Sequence, residues 1–176
     1  RLNSDKPESY ASAIERIRFV GGYLDSVDIE LSDHLNAVIG GRGTGKSTLL
    51  ECIRYAFGLE PKTPNAIKQH KSVIDTNLGK ERGLVEITLR SSVMHGRRFK
   101  VSRKHGSDPV VVDSKENISP YLPTDLLPGI ELYGQNEIYE MTRDEQSRNQ
   151  LIERFLEGEH EKFDADIADV LAKLKD

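Results

Sequence analysis

A glycine-rich segment followed by lysine, serine and threonine contains the side chains best suited to chemistry in this chain. Residues 40–47 read Gly-Gly-Arg-Gly-Thr-Gly-Lys-Ser and fit the pattern G-x-x-x-x-G-K-[ST]. Glycines accept positive φ and let backbone N–H groups approach phosphate oxygens, because no Cβ stands in the way. Lys46 supplies a positive charge for the β- and γ-phosphates, and the hydroxyl of Ser47 suits Mg²⁺. The segment therefore predicts a loop that binds the phosphates of ATP together with Mg²⁺.

The stretches on either side of this loop are those that the motif requires. Residues 35–39 form a short apolar run, which predicts a strand buried on both faces. Residues 46–57 carry apolar side chains at helical spacing, and Gly58 is a plausible end for that helix. Arg42 contacts a phosphate or is a solvated loop residue. The predicted triphosphate ligands are Gly41, Arg42, Gly43, Thr44, Gly45, Lys46, Ser47 and Thr48.

The rest of the chain predicts a mixed β lobe around the loop and its helix. Alternating apolar and polar residues indicate an antiparallel pair of strands before the loop and further strands after the helix. The predicted strands are 14–20, 24–31, 83–90, 97–103, 109–113 and 130–133. A turn at His95-Gly96 separates two of them. Residues 60–80 and 119–129 contain several prolines and predict irregular connections.

The C-terminal part predicts a helix from Asp144 onward. Its apolar residues follow alternating steps of three and four, which is the spacing of a coiled-coil seam. The seam consists of Leu156, His160, Phe163, Ile167, Val170 and Leu174. A helix packed on the domain is the alternative. The predicted organisation is a linker tail at 1–13, a lobe at 14–157 and the start of a coiled coil at 158–176.

Composition limits the remaining possibilities. The 176 residues carry a net charge of −4 and one cysteine, Cys52, which excludes a disulfide framework within the chain. No apolar run is long enough to span a bilayer, so we expect no membrane partner and a cytoplasmic protein. The five histidines lack metal-ligand spacing. The basic stretch 97–104 either follows a DNA backbone or is a solvated strand face.

The order of the elements distinguishes between classes of phosphate-loop proteins. A GTPase needs N-K-x-D, which does not occur, and a small nucleotide kinase continues as alternating β/α units. Antiparallel strands before the loop and several strands after its helix indicate an ABC-type arrangement instead. The chain resembles the N-terminal half of an SMC/RecF/RecN-type ABC ATPase head. The resemblance covers residues 14–160 and rests on RIRFVGG, LNAVIGGRGTGKSTLLECIRYAFG and IELYGQNEIYEMTRDEQSRNQLIERFLEG, in the family's order.

The resemblance implies specific roles for residues after the loop. Gln135 stands where the family has its Q-loop glutamine, which contacts Mg²⁺ and the attacking water. Arg148 and residues 151–153 match the family's approach to its coiled coil. One departure is Arg42, because SMC-type loops usually carry asparagine there. Within the group, the loop looks most like the AAA-like ATPase domain of TrlF-type proteins, in which a PHP domain lies upstream.

The family's remaining catalytic motifs belong to a C-terminal half, and we find no counterpart of them in this sequence. The resemblance therefore implies a Mg-ATP-binding half of an ATPase in DNA repair, recombination or defence, which hydrolyses ATP only with that missing half. Its implied partners are the C-terminal half, a second head in an ATP-dependent dimer, and DNA. Two alternatives remain: a non-catalytic, nucleotide-gated interaction module, and a small-molecule P-loop kinase.

Overall fold

A five-stranded antiparallel sheet forms the centre of the molecule. The computed structural model describes residues 11–79, 82–134, 137–143, 148, 149 and 152. The strands are β1 (Ala13–Val20), β2 (Asp28–Glu30), β3 (Leu84–Ser91), β4 (Arg97–Lys104) and β5 (Val110–Asp113), in the spatial order β2-β1-β3-β4-β5. The helices are α1 (Lys46–Phe57), α2 (Pro64–Asn77), α3 (Pro123–Leu126) and α4 (Glu137–Arg143). The mixed α/β class expected from the sequence is confirmed.

One face of the sheet packs on the helix that follows the glycine-rich loop. Every second residue of β3 is buried, and β1 and β4 bury Ile17, Phe19, Phe99 and Val101 in the same layer. Helix α1 packs on β3 and β4 and contributes Cys52, among other residues, to this core. Each large apolar side chain buried here contributes roughly 1.5–3 kcal/mol. The packing of α1 on the sheet therefore fixes the position at which α1 begins.

Several elements agree with the sequence prediction. Helix α1 ends before Gly58, which adopts φ 69° as a left-handed cap. The turn between β3 and β4 holds His95 and Gly96, both at positive φ. The first strand pairs with a shorter second strand than predicted, because residues 23–26 form a turn and only Asp28–Glu30 joins β1.

Two predicted irregular connections contain helices. Residues 60–80 include α2, which begins at Thr63-Pro64: the Thr63 hydroxyl accepts a hydrogen bond from the Ala66 N–H at 3.3 Å. Proline is compatible with the first turn of a helix, where its missing N–H would have no intrahelical partner. Residues 119–129 likewise include the single turn α3, although they were predicted to be irregular throughout. The prediction was wrong because it treated the prolines as helix breakers, whereas a proline in the first turn is compatible with a helix.

Two predicted strands are not strands in the structure. Residues 35–39 have no regular secondary structure, and Leu35 and Ile39 are 95% and 92% exposed rather than buried. Residues 130–133 are also without helix or strand. A strand needs a neighbour for its backbone hydrogen bonds, and neither stretch is paired with a named strand in the described part of the chain. A short apolar run predicts that its side chains are buried, but it does not identify the segment that buries them.

The chain divides into two compact units, Arg1–Gly134 and Gln135–Asp176. Helix α4 belongs to the second unit, and every other helix and strand named above belongs to the first. Gln135, residues 1–10 of the predicted linker tail (1–13) and the predicted coiled coil at 158–176 lie outside the described residues, so those predictions stay predictions. None of the described helices is long and apolar enough to cross a membrane.

Candidate functional site

The glycine-rich loop joins α1 through backbone that only glycine adopts easily. Gly43 has φ 80°, and Gly45, the N-cap of α1, has φ 90°. A Cβ added to Gly45 would lie 3.1 Å from Leu24 Cδ2 and 3.2 Å from Tyr23 Cε1, which is closer than ordinary van der Waals contact. Both the left-handed conformation and these short distances disfavour a side chain at Gly45, so glycine suits the junction between the loop and α1.

The lysine of the motif folds back over the loop. Lys46 Nζ donates hydrogen bonds to the carbonyl oxygens of Gly40 at 2.7 Å and Gly41 at 2.5 Å. The Thr44 hydroxyl also donates to the Gly41 carbonyl, at 3.0 Å. These bonds keep the ammonium group beside the loop, where a bound phosphate would meet it. A phosphate would form the stronger, charge-assisted interaction with this ammonium.

An open cleft of about 280 Å³ lies at the loop. Its lining residues include six of the eight predicted triphosphate ligands; Gly41 and Arg42 are not among them. The lining residues are Tyr23, Gly43, Thr44, Gly45, Lys46, Ser47, Thr48 and Asn77. Lys46 is the one ionised side chain among them, and none carries a carboxylate. A cleft that combines a lysine, four hydroxyl side chains and the start of a helix is suited to an anion.

Two lining residues were missed from the sequence. The Tyr23 hydroxyl donates to the Gly43 carbonyl at 2.8 Å, and the Tyr23 N–H donates to the Asn77 carbonyl at 2.9 Å. Tyr23 is 57% exposed, so its ring forms a wall of the cleft rather than part of the core. No motif marks either residue, since both approach the loop only through the fold. An exposed aromatic residue in the turn after β1 was the one available signal.

The residues present fit a magnesium–nucleotide at the loop as far as the described part of the chain extends. Ser47 lines the cleft and offers a hydroxyl oxygen, the type of ligand that Mg²⁺ prefers. Gln135, the second predicted Mg²⁺ ligand, lies outside the described residues. No group of three or more His, Cys, Asp or Glu side chains suited to a metal occurs among residues that are described.

Some basic side chains of strand β4 make structural contacts, and others lie on the outer face of the sheet. Arg103 donates to the Tyr55 carbonyl at 2.6 Å and lies over the Tyr55 ring, 4.1 Å from its centroid. Arg98 pairs with Glu15 at 2.8 Å. Lys100 lines a surface depression that also contains Glu86 and other charged residues. The outer face therefore carries both signs of charge, and the basic sequence does not form a uniformly positive surface.

Cys52 lies in the core between the helix and the sheet. It is fully buried, and this burial raises the pKa of its thiol to about 12. A thiol with this pKa is almost entirely protonated at neutral pH and is a poor nucleophile. Cys52 therefore acts as a small core residue.

Comparison with known proteins identifies the family of this chain. A family model described as an AAA domain matches residues 14–174. The "DNA double-strand break repair Rad50 ATPase" of Archaeoglobus fulgidus is 29% identical over 135 residues, which are 70% of this chain and 14% of that protein. The "DNA repair protein RecN" of Aquifex aeolicus is 30% identical over 131 residues, 73% of this chain and 21% of that protein. The chain thus matches about a fifth or less of the length of either relative.

Proposed function

Because this chain belongs to the AAA domain family, in the group of SMC/RecF/RecN-type ABC ATPase heads, we propose that it is the Mg-ATP-binding part of such a head. The single observation that carries the proposal is the cleft at the loop, where Lys46, Ser47 and Thr48 line one wall at the start of α1. The family implies a nucleotide, and the arrangement of a lysine and backbone N–H groups suits its phosphates.

Each ligand residue has a distinct part in this proposal. The glycines at 43 and 45 keep the loop open to phosphate oxygens, and Lys46 exchanges its two carbonyl partners for the β- and γ-phosphates. Ser47 holds Mg²⁺ together with Gln135, while Thr48 contacts the α-phosphate side. Arg42, which is exposed, contacts a phosphate at the edge of the site or stays solvated. When bound, Mg²⁺ neutralises charge that develops between the β- and γ-phosphates.

The proposal includes a second part of the same protein. The apolar run before the loop exposes Leu35, Val38 and Ile39, which is unusual for three neighbouring aliphatic residues. We assign this run as the strand that pairs with the C-terminal half of the head. That half supplies the remaining catalytic groups, so this chain binds ATP but hydrolyses it poorly without it. The two relatives, of which the chain matches 14% and 21%, are consistent with a longer protein.

The proposed process is DNA repair or a related DNA transaction. The names of both relatives refer to DNA repair, and this is the support for the assignment. The completed head would pair with a second head around ATP and act on DNA. The outer face of the sheet does not add support, because its arginines and lysines alternate with carboxylates.

Equilibrium binding tests the nucleotide assignment. The chain should bind ATP in the presence of Mg²⁺, and Lys46→Ala should weaken this binding by roughly 10- to 150-fold, as a lost charge-assisted hydrogen bond of about 1.5–3 kcal/mol implies. Lys100→Ala, on the outer face of the sheet, is the matched control and should bind as the unchanged chain does. If both variants bind ATP equally well, the site is elsewhere and the proposal fails.

A nucleotide-gated interaction module is the second candidate, and the exposed aliphatic run favours it equally well. Adding the C-terminal half separates the two. ATP turnover by the pair supports an ATPase, whereas ATP-dependent association without turnover supports the interaction module.

A further inference from the structure

A tyrosine outside the phosphate motif holds one peptide group of the loop. The Tyr23 hydroxyl donates a hydrogen bond to the Gly43 carbonyl at 2.8 Å, although the two residues are 20 positions apart. This carbonyl and the Thr44 N–H belong to one planar trans peptide group, in which the C=O and N–H bonds point in opposite directions. The hydrogen bond that holds the Gly43 carbonyl therefore also sets the orientation of the Thr44 N–H.

The glycine at position 43 leaves this peptide group able to rotate unless another contact holds it. Gly43 has φ 80°, which glycine adopts at little cost, and an added Cβ would meet no atom within 4 Å. Packing around Gly43 therefore does not fix the peptide group. The Thr44 N–H makes no hydrogen bond to any other residue that the structure describes, so it is available to a ligand.

The position of Tyr23 is set by α2 rather than by the loop. The Tyr23 N–H donates to the carbonyl of Asn77, the last residue of α2, at 2.9 Å. The preceding residue, Gly22, has φ 77°, and a Cβ added to it would overlap the Asn77 carbonyl oxygen. Glycine at this position thus allows the turn after β1 to lie directly against the end of α2. Tyr23 contacts the loop from a turn that is itself held in place.

We propose that Tyr23 is a positioning residue that orients the Thr44 N–H toward the phosphates of the bound nucleotide. This inference rests on the proposed function, in which the loop binds those phosphates. A donor that is already oriented toward its ligand loses less free energy to ordering when the ligand binds. Without the Tyr23 hydroxyl the peptide group also adopts other orientations. The apparent Kd then rises in inverse proportion to the fraction of molecules in the competent orientation.

Tyr23→Phe tests this role because it removes the hydroxyl and keeps the ring. The ring is more than half exposed, so the variant should fold. With Mg²⁺ present, the Kd for ATP and the Kd for inorganic tripolyphosphate should rise by the same factor, about 2- to 10-fold, as the loss of one uncharged hydrogen bond implies. A tyrosine that contacted the base or the ribose would change the affinity for ATP alone, because tripolyphosphate contains neither group.

Tyr55→Phe is the matched control, because the Tyr55 hydroxyl also bonds to backbone groups but none of them belongs to the loop. This hydroxyl donates to the Lys104 carbonyl at 3.1 Å and accepts from the Gly106 N–H at 2.9 Å. Tyr55→Phe should lower the urea midpoint of the ligand-free chain at least as much as Tyr23→Phe, because it removes two hydrogen bonds rather than one. Both ligands should nevertheless bind Tyr55→Phe as tightly as they bind the unchanged chain.

The other outcomes overturn the inference. If Tyr23→Phe binds both ligands as tightly as the unchanged chain, or if only its ATP affinity falls, Tyr23 does not position the loop. If both affinities fall equally in Tyr55→Phe, lowered stability causes the effect and the inference fails. Lys46→Ala separates this failure from a failure of the proposed function. If Lys46→Ala binds both ligands normally, the proposed function fails as well; if it binds them weakly while Tyr23→Phe does not, only the inference about Tyr23 fails.

Discussion

Substitution of Gly45 by alanine tests the geometry of the loop in two measurements at once. Gly45 has φ 90°, and a left-handed conformation costs a residue with a side chain about 1–2 kcal/mol. The added methyl group would also lie 3.1 Å from Leu24 and 3.2 Å from Tyr23, and Tyr23 is held by its hydrogen bond to Gly43. The strain and the contact together give an expected destabilisation of about 2–3 kcal/mol.

Gly58 provides the matched control, because it lies at the other end of the same helix. It is also left-handed, with φ 69°, but the nearest atom to an added Cβ is Arg103 Nη1 at 3.8 Å, an ordinary contact. Gly58→Ala should therefore cost only the conformational part, about 1–2 kcal/mol. In a domain of this size each 1 kcal/mol lowers the Tm by about 2–4 °C.

Urea unfolding of the two variants, with the slope m unchanged, gives the comparison directly. Gly45→Ala should be the less stable variant by about 1 kcal/mol, and its ATP affinity should fall beyond detection because the methyl group alters the loop. Gly58→Ala should bind ATP normally. Equal stability of the two variants would refute the close approach of Tyr23 and Leu24 to the loop. Normal ATP binding by Gly45→Ala would refute the role of the loop backbone.

Two further predictions concern other parts of the fold. Thr63→Ala should destabilise the chain by about 1 kcal/mol in thermal unfolding, because it removes the N-cap hydrogen bond of α2. Thr63→Ser should restore most of the lost stability. If Thr63→Ala leaves the stability unchanged, α2 does not begin at Thr63. The bidentate hydrogen bonds from Arg16, at 2.7 and 2.6 Å, lower the pKa of Asp28 below its ordinary value, so the folded state favours its carboxylate. That stabilisation is present above the unfolded pKa and is lost as the pH falls through the folded one. The difference in urea midpoint between the unchanged chain and Asp28→Asn should therefore shrink as the pH falls below about 4. A difference that does not change between neutral and acidic pH would contradict this.

The sequence was most informative where local chemistry determines local structure. Helix α1 and its Gly58 cap were predicted because helical spacing and a terminal glycine are signals carried by neighbouring residues. The strands β3 and β4 were predicted because alternation reports a sheet with one buried face. The loop itself was recognised because its glycines, lysine and serine are needed together for one chemical task.

Most of the failures concern features that depend on distant parts of the chain. The run 35–39 is apolar enough for a buried strand, yet burial requires a neighbour that its own residues do not specify. Tyr23 and Asn77 reach the cleft only because the turn after β1 contacts the end of α2. From the sequence alone, Arg54 resembles an ordinary surface residue of a helix. Its burial could not be predicted, because its hydrogen-bond partner, the Leu132 carbonyl, lies 78 positions away. Helix α2 was a different kind of error, since Thr63-Pro64 is a local start signal.

Thermal unfolding with and without Mg-ATP tests the central claim most directly. The unchanged chain at ATP concentrations 100-fold above its Kd should gain about 2.7 kcal/mol. In a domain of this size, that gain corresponds to a rise in Tm of about 5–10 °C. Lys46→Ala should unfold at nearly the same temperature as the unchanged chain without nucleotide. Because its Kd is expected to be roughly 10- to 150-fold higher, the same ATP concentration should stabilise it by only about 0.3–1.4 kcal/mol. An equal rise in both proteins would contradict the claim that the loop at residues 40–48 binds the phosphates of ATP.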